Sequence, residues 1–157
     1  MDFEPYFKSP LKERSTDHLK DIFFENQKVA KAAGSIINST LFYFWFCVQG
    51  NCRNITGDDI KDMPTVALDS TGFDKAVNQF DELMKDLQDK SKRRVYEYKT
   101  GQVEYDEFYP SLSKSVIDKI DQRLAETFRL NDDEIDFLVA YDLKYRMGAA
   151  DNGDEEE

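Results

Sequence analysis

"SIINSTLFYFWFCVQGNCRN", residues 35–54, is the least polar stretch of a polar chain. Phe42, Tyr43, Phe44, Trp45 and Phe46 follow one another, and the run then breaks into Gly50, Asn51, Arg53 and Asn54. A membrane span needs roughly 18 or more apolar residues. Here the unbroken run lasts only from Leu41 to Val48, with Asn38, Ser39 and Thr40 interrupting just upstream. A short segment that is apolar all round predicts a core helix covered on several sides. That helix is expected over residues 25–49, with Ile36, Ile37, Leu41, Phe44, Trp45 and Val48 as its most buried stripe. Gly50 is expected as its C-cap.

Outward from this segment the chain reads as mainly α. Residues 1–24, with Pro5 and Pro10 and no sustained period, predict an irregular or extended lead-in. A second helix from about residue 73 has the cleanest period. Phe73, Ala76, Val77, Phe80, Leu83, Met84 and Leu87 share one face, which serves packing or pairing and offers a surface for a homo-oligomer. Alternation of Val95, Tyr96, Tyr98, Val103 and Tyr105 around Thr100-Gly101 predicts a small β-hairpin. A third helix carries Val116, Ile117, Ile120, Leu124 and Phe128. A fourth opens on the cap box Asn131-Asp132-Asp133-Glu134, buries Ile135, Leu138, Val139 and Leu143, and stops at Gly148. The expectation is one helical domain of about four helices over residues 25–148, followed by a disordered acidic tail at 149–157.

Charge narrows the function classes. The chain has 157 residues, a formal net charge of −11 and 34% charged residues. So acidic a protein is a poor ligand for a polyanion unless its 21 Lys and Arg cluster or a larger partner supplies positive field. One such cluster exists, Lys90, Lys92, Arg93 and Arg94, beside Tyr96 and Tyr98. It has two readings: a solvated helix end with favourably placed cations, or a nucleic-acid contact in which Arg93 and Arg94 hold phosphates. Arg53 and Asn54, with Asn51 and Gln49, hang on the loop after the aromatic run. Arg and Asn are suited to bidentate reading of guanine and adenine edges.

Catalytic chemistry is not visible. The glycines are isolated, His18 is the single histidine and stands in the lead-in, and the acid pairs Asp58-Asp59 and Asp132-Asp133 suit turns and caps. Cys47 and Cys52 are expected as reduced thiols, and with one histidine they fall short of the about four ligands of a structural zinc. The first twenty residues have neither the apolar core nor the cleavage site of a secretory leader, so a cytoplasmic location is expected.

Two stretches resemble a known family. "SIINSTLFYFWFCVQGNCRNITGDDIKDMP" is similar to a segment near the C-terminus of adenine-N6 DNA methyltransferases of bacterial restriction–modification systems, including fused methylase–nuclease enzymes. "SKSVIDKIDQRLAETFRLNDDEIDFLVAYDLKYRMG" resembles the segment that closes many of those proteins: an S-K start, an I-D-x-I-D-x-x-L-A helix, an acid-rich cap and a final D-x-K-Y-R-M-G. The resemblance covers residues 30–64 and 113–148. It implies a C-terminal piece that belongs to, or braces, the target-recognition domain. Arg53, Asn54 and Asn51 would then face DNA, with Arg93 and Arg94 on phosphates. The implied partners are DNA, reached through a larger assembly, and a catalytic methyltransferase domain or subunit. The family's S-adenosylmethionine motif and its Asn-Pro-Pro-Tyr loop are not in this sequence, so no cofactor and no methyl transfer are assigned to this chain. Two rival expectations remain: an acidic module that binds a protein partner or mimics DNA, and a remnant of a larger gene without independent function.

Overall fold

The structure is a computed structural model that describes residues 6–9, 22–50, 53, 55–63 and 70–141. The expected lead-in at 10–21, His18, Cys52, Leu143, the Gly148 stop and the acidic tail lie outside these residues. Among the described residues there are six α-helices: α1 (Gln27–Ile37), α2 (Thr40–Gln49), α3 (Gly57–Lys61), α4 (Ser70–Asp89), α5 (Lys114–Phe128) and α6 (Asp132–Ala140). A small antiparallel sheet of β1 (Phe7–Lys8), β2 (Lys92–Tyr98) and β3 (Gly101–Glu107) has the order β1-β3-β2. The fold is mainly α with a small hairpin-like part, as the sequence pattern predicts.

The helix expected over 25–49 is two helices. Asn38 ends α1: its backbone N–H and its side-chain amide both donate to the carbonyl of Gly34, the latter at 2.7 Å. Ser39 both finishes one helix and starts the next, since its hydroxyl donates to Ile36 O at 2.6 Å and accepts from Phe42 N at 3.0 Å. An Asn-Ser pair therefore satisfies end groups of both helices at one joint, leaving Thr40 N to another partner. The break resets the helical phase, so the buried face of α2 is not the stripe extrapolated from α1. Phe42 and Phe46 go into the core, Leu41, Phe44 and Trp45 are half-buried, and Val48 is 59% exposed. Gly50 does follow the last turn, with its N–H on Phe46 O at 2.8 Å.

A single buried carboxylate fixes this joint to the rest of the chain. Asp121, on α5 and only 5% exposed, accepts from Thr40 N at 2.7 Å and from Thr40 Oγ1. It thereby supplies a side chain to the positive end of α2 from 81 residues away. Around it Ile36, Phe42, Phe46, Met63, Leu83, Val116, Ile117, Ile120 and Leu124 form the core. The α5 stripe is as expected except that Phe128 is only partly covered. The α4 stripe is used within the chain: Ala76, Phe80 and Leu83 are buried, and Met84 and Leu87 pack on the core. The face offered for a homo-oligomer is thus largely covered by the fold itself. α6 begins with the predicted capping box, Asn131 accepting from Glu134 N at 3.0 Å and Glu134 accepting from Asn131 N at 2.9 Å.

Helices α1 and α4 approach closely where α1 has a glycine. A Cβ at Gly34 would stand 2.4 Å from Cε2 of Phe80. Alanine favours a helix by about 1 kcal/mol, but the buried Phe80 ring has little room to retreat. Gly34→Ala is therefore expected to destabilise by about 1–2 kcal/mol net, and Phe80→Leu in the same chain to recover part of it. Asp121→Ala leaves the Thr40 N–H buried without a partner and should cost about 2–3 kcal/mol. Urea denaturation checks both, and an unchanged midpoint for Asp121→Ala would contradict the joint.

Candidate nucleic-acid interface

The hairpin forms because β-branched and aromatic residues alternate on both sides of a two-residue turn, Lys99-Thr100. Gly101 accepts a φ of 119° there, which other residues rarely adopt. Tyr98 pairs with Gly101 and Lys92 with Glu107, so the register spans the whole of both strands. Phe7 and Lys8 add a third strand on the far side of β3, opposite Tyr105 and Glu104. The strands contact one another far more than they contact any helix, and every residue of β2 is exposed.

Side chains that face each other across an antiparallel pair share a face of the sheet. One face carries Lys92, Arg94, Tyr96 and Tyr98 of β2 with Val103, Tyr105 and Glu107 of β3 and Phe7 of β1. The other carries Arg93, Val95 and Glu97 with Gln102, Glu104 and Asp106, and Lys8. Lysine and arginine therefore outnumber carboxylates on the first face, and carboxylates outnumber them on the second.

Both predicted phosphate-binding arginines stand on β2 and each is already paired. Arg93 Nε donates to Asp106 Oδ1 at 2.6 Å, and its guanidinium lies 3.5 Å from the centre of the Tyr6 ring. Arg94 Nε donates to Glu107 Oε2 at 2.7 Å and its Nη2 to the Tyr109 hydroxyl at 2.9 Å. Tyr109 also donates to Glu107. These contacts hold the Asp106 carboxyl below its usual range, chiefly through Arg93. They do the same for Glu107, chiefly through Tyr109 and then Arg94. The same carboxylates raise both arginines and Tyr109. Neither arginine reaches a phosphate without giving up or sharing a carboxylate.

Arg53 is exposed on the loop that follows α2, a different element from the one bearing Arg93 and Arg94. Asn51 and Asn54 lie outside the described residues. Lys90, grouped with the arginines by sequence proximity, belongs instead to the end of α4, where it pairs with Asp86 at 2.7 Å and donates to Leu112 O at 2.6 Å. The sequence reading missed the strand at Phe7–Lys8 and the acids Asp106 and Glu107 as arginine partners. The alternation of the hairpin, continued to its last residues, was the signal for the second.

A groove of about 440 Å³ between α2 and α6 is lined by Leu41, Phe44, Leu130, Phe137 and Leu138, with Asp133 and Glu134 beside them. Among the described residues no group of three or more His, Cys, Asp or Glu side chains is placed to hold a metal ion. No described helix is long and apolar enough to cross a membrane.

The pairing on the sheet sets a pH dependence. Asp106 and Glu107 have depressed pKa values in the folded chain, so the stability they confer is fully present above the ordinary carboxylate range. It is lost as pH falls through that range, near 4, and below it. Tyr6, Tyr96, Tyr98, Tyr105 and Tyr109 lie on or beside the sheet, so the near-ultraviolet circular dichroism of tyrosine reports on it. That signal should stay level from pH 7 to 5 and fall progressively below about 4. Asp106→Asn with Glu107→Gln should lower it at neutral pH. A signal indifferent to both would contradict the role of these pairs.

No family model matches the chain, and no curated protein and no solved structure is found similar to it.

Proposed function

We propose that this chain is a non-catalytic, DNA-recognition-associated module from the C-terminal region of an adenine-specific DNA methyltransferase or restriction–modification enzyme. In that role it meets DNA through a larger assembly that includes a catalytic methyltransferase domain or subunit. The observation that carries the proposal is the Asp121–Thr40 contact. Thr40 belongs to the "INSTLFYFW" segment and Asp121 is the second acid of "IDKID". The two stretches that resemble the family, far apart in sequence, are joined by a buried carboxylate at a helix start. A residue pattern with that spatial logic supports reading both stretches as parts of one module rather than as two chance similarities.

Within this reading α2 is an anchor. Phe42 and Phe46 fix it in the core, Asp121 fixes its start, and the loop bearing Arg53 leaves from its end. Arg53 follows a helix held at its start and in the core, and arginine is suited to bidentate reading of a base edge. The catalytic steps belong to the partner domain, and this chain contributes position and contact.

Fluorescence anisotropy of the full chain with a labelled random-sequence duplex tests the proposal. Binding is expected at low salt, weakening as salt rises. Arg53→Ala should reduce the slope of log K against log salt by about 1 if it touches one phosphate. If it reads a base, it should weaken binding to preferred sequences by about tenfold or more. No binding even at low salt would confine recognition to the larger assembly and favour a protein-binding or structural module.

A further inference from the structure

The sheet carries a surface that the loop at Arg53 does not account for. Its face with Tyr96, Tyr98, Tyr105 and Phe7 is open: Tyr98 is 60% exposed, Tyr96 45% and Phe7 44%. Tyr96 and Tyr105 already lie parallel, with ring centres 5.8 Å apart and 8° between their planes. Lys92 and Arg94 stand on the same face, Lys92 with its ammonium 5.3 Å from the Tyr109 ring centre. Glu107 is the one strand carboxylate there, while Glu97, Glu104 and Asp106 all point to the opposite face. In a chain of net charge −11, the sheet thus sends three of its four strand acids to one side and its exposed rings to the side where cations outnumber acids.

Flat rings flanked by cations are complementary to unpaired nucleobases on a phosphate backbone. Every base presents a π-face for stacking, and the backbone needs only scattered positive charge. An intact duplex hides its base faces, so the rings have little to engage in it. We infer that this face of the sheet binds a single-stranded or locally unpaired segment of DNA, with Tyr98 and Tyr96 stacking on bases, Lys92 beside the phosphates and Arg94 reaching them while it shares Glu107. The inference rests on the DNA-facing role proposed above and assigns it a second surface.

Labelled oligothymidylate is the probe, with a duplex of equal length as comparison, both titrated with the full chain at low salt and read by anisotropy. The wild-type chain should bind oligothymidylate. Tyr98→Ala should weaken that binding about tenfold, while Tyr98→Phe restores it, because stacking uses the ring and not the hydroxyl. Val95→Ala, on the opposite face, should leave it unchanged. If Tyr98→Ala and Tyr96→Ala bind oligothymidylate as the wild type does, the sheet is not the platform, although duplex binding sensitive to Arg53→Ala would leave the wider DNA role standing. If the wild-type chain binds neither probe, the sheet is not the platform and recognition is confined to the larger assembly.

Discussion

The fold depends on one carboxylate. A helix start exposes N–H groups that need acceptors, and α2 begins in the interior where water cannot serve. Ser39 satisfies one of these groups locally, but Thr40 N receives its partner only from Asp121 on α5. The aromatic helix, the joint with α1 and the position of α5 are therefore mutually conditional. Apolar burial around Phe42, Leu83 and Ile120 supplies most of the free energy, being non-directional and proportional to area. The Asp121 contact supplies direction, because it is satisfied in one arrangement of the two helices and leaves a buried polar group stranded in others.

Much of this architecture was legible in the sequence, and what was not has physical causes. The stripes of α4 and α5 were readable because each is a long helix with one covered face, the case in which periodicity carries most information. The Asn131–Glu134 cap was readable because a capping box is local. The division of residues 25–49 was not predicted, although Asn38, Ser39 and Thr40 were conspicuous as polar interruptions. Their meaning depended on Asp121, which no local rule connects to them. The buried face of α2 was misplaced for the same reason, since a phase carried across a break points to the wrong residues.

The candidate site was legible in part. Its residue types, arginine beside tyrosine on a hairpin, followed from alternation, but the state of the arginines did not. Arg93 and Arg94 read in sequence as available cations, and in the fold each is engaged by an acid of the facing strand. Pairs of this sort at a surface contribute modestly to stability. Their larger effect here is on geometry: they hold the strands in register and leave the tyrosines on a defined plane. Pleating then sorts charges that the linear sequence intermixes, a separation that composition conceals.

The Asp121–Thr40 contact also orders events during synthesis. Its two ends are 81 residues apart, so a ribosome adding about 5–20 residues per second delivers Thr40 some 4–16 s before Asp121. Through that interval α2 keeps its local Ser39 cap but lacks both the Asp121 carboxylate at Thr40 and the α5 residues that pack around Phe42 and Phe46. The core around Phe42 and Phe46 therefore closes only once the residues of α5 have been made.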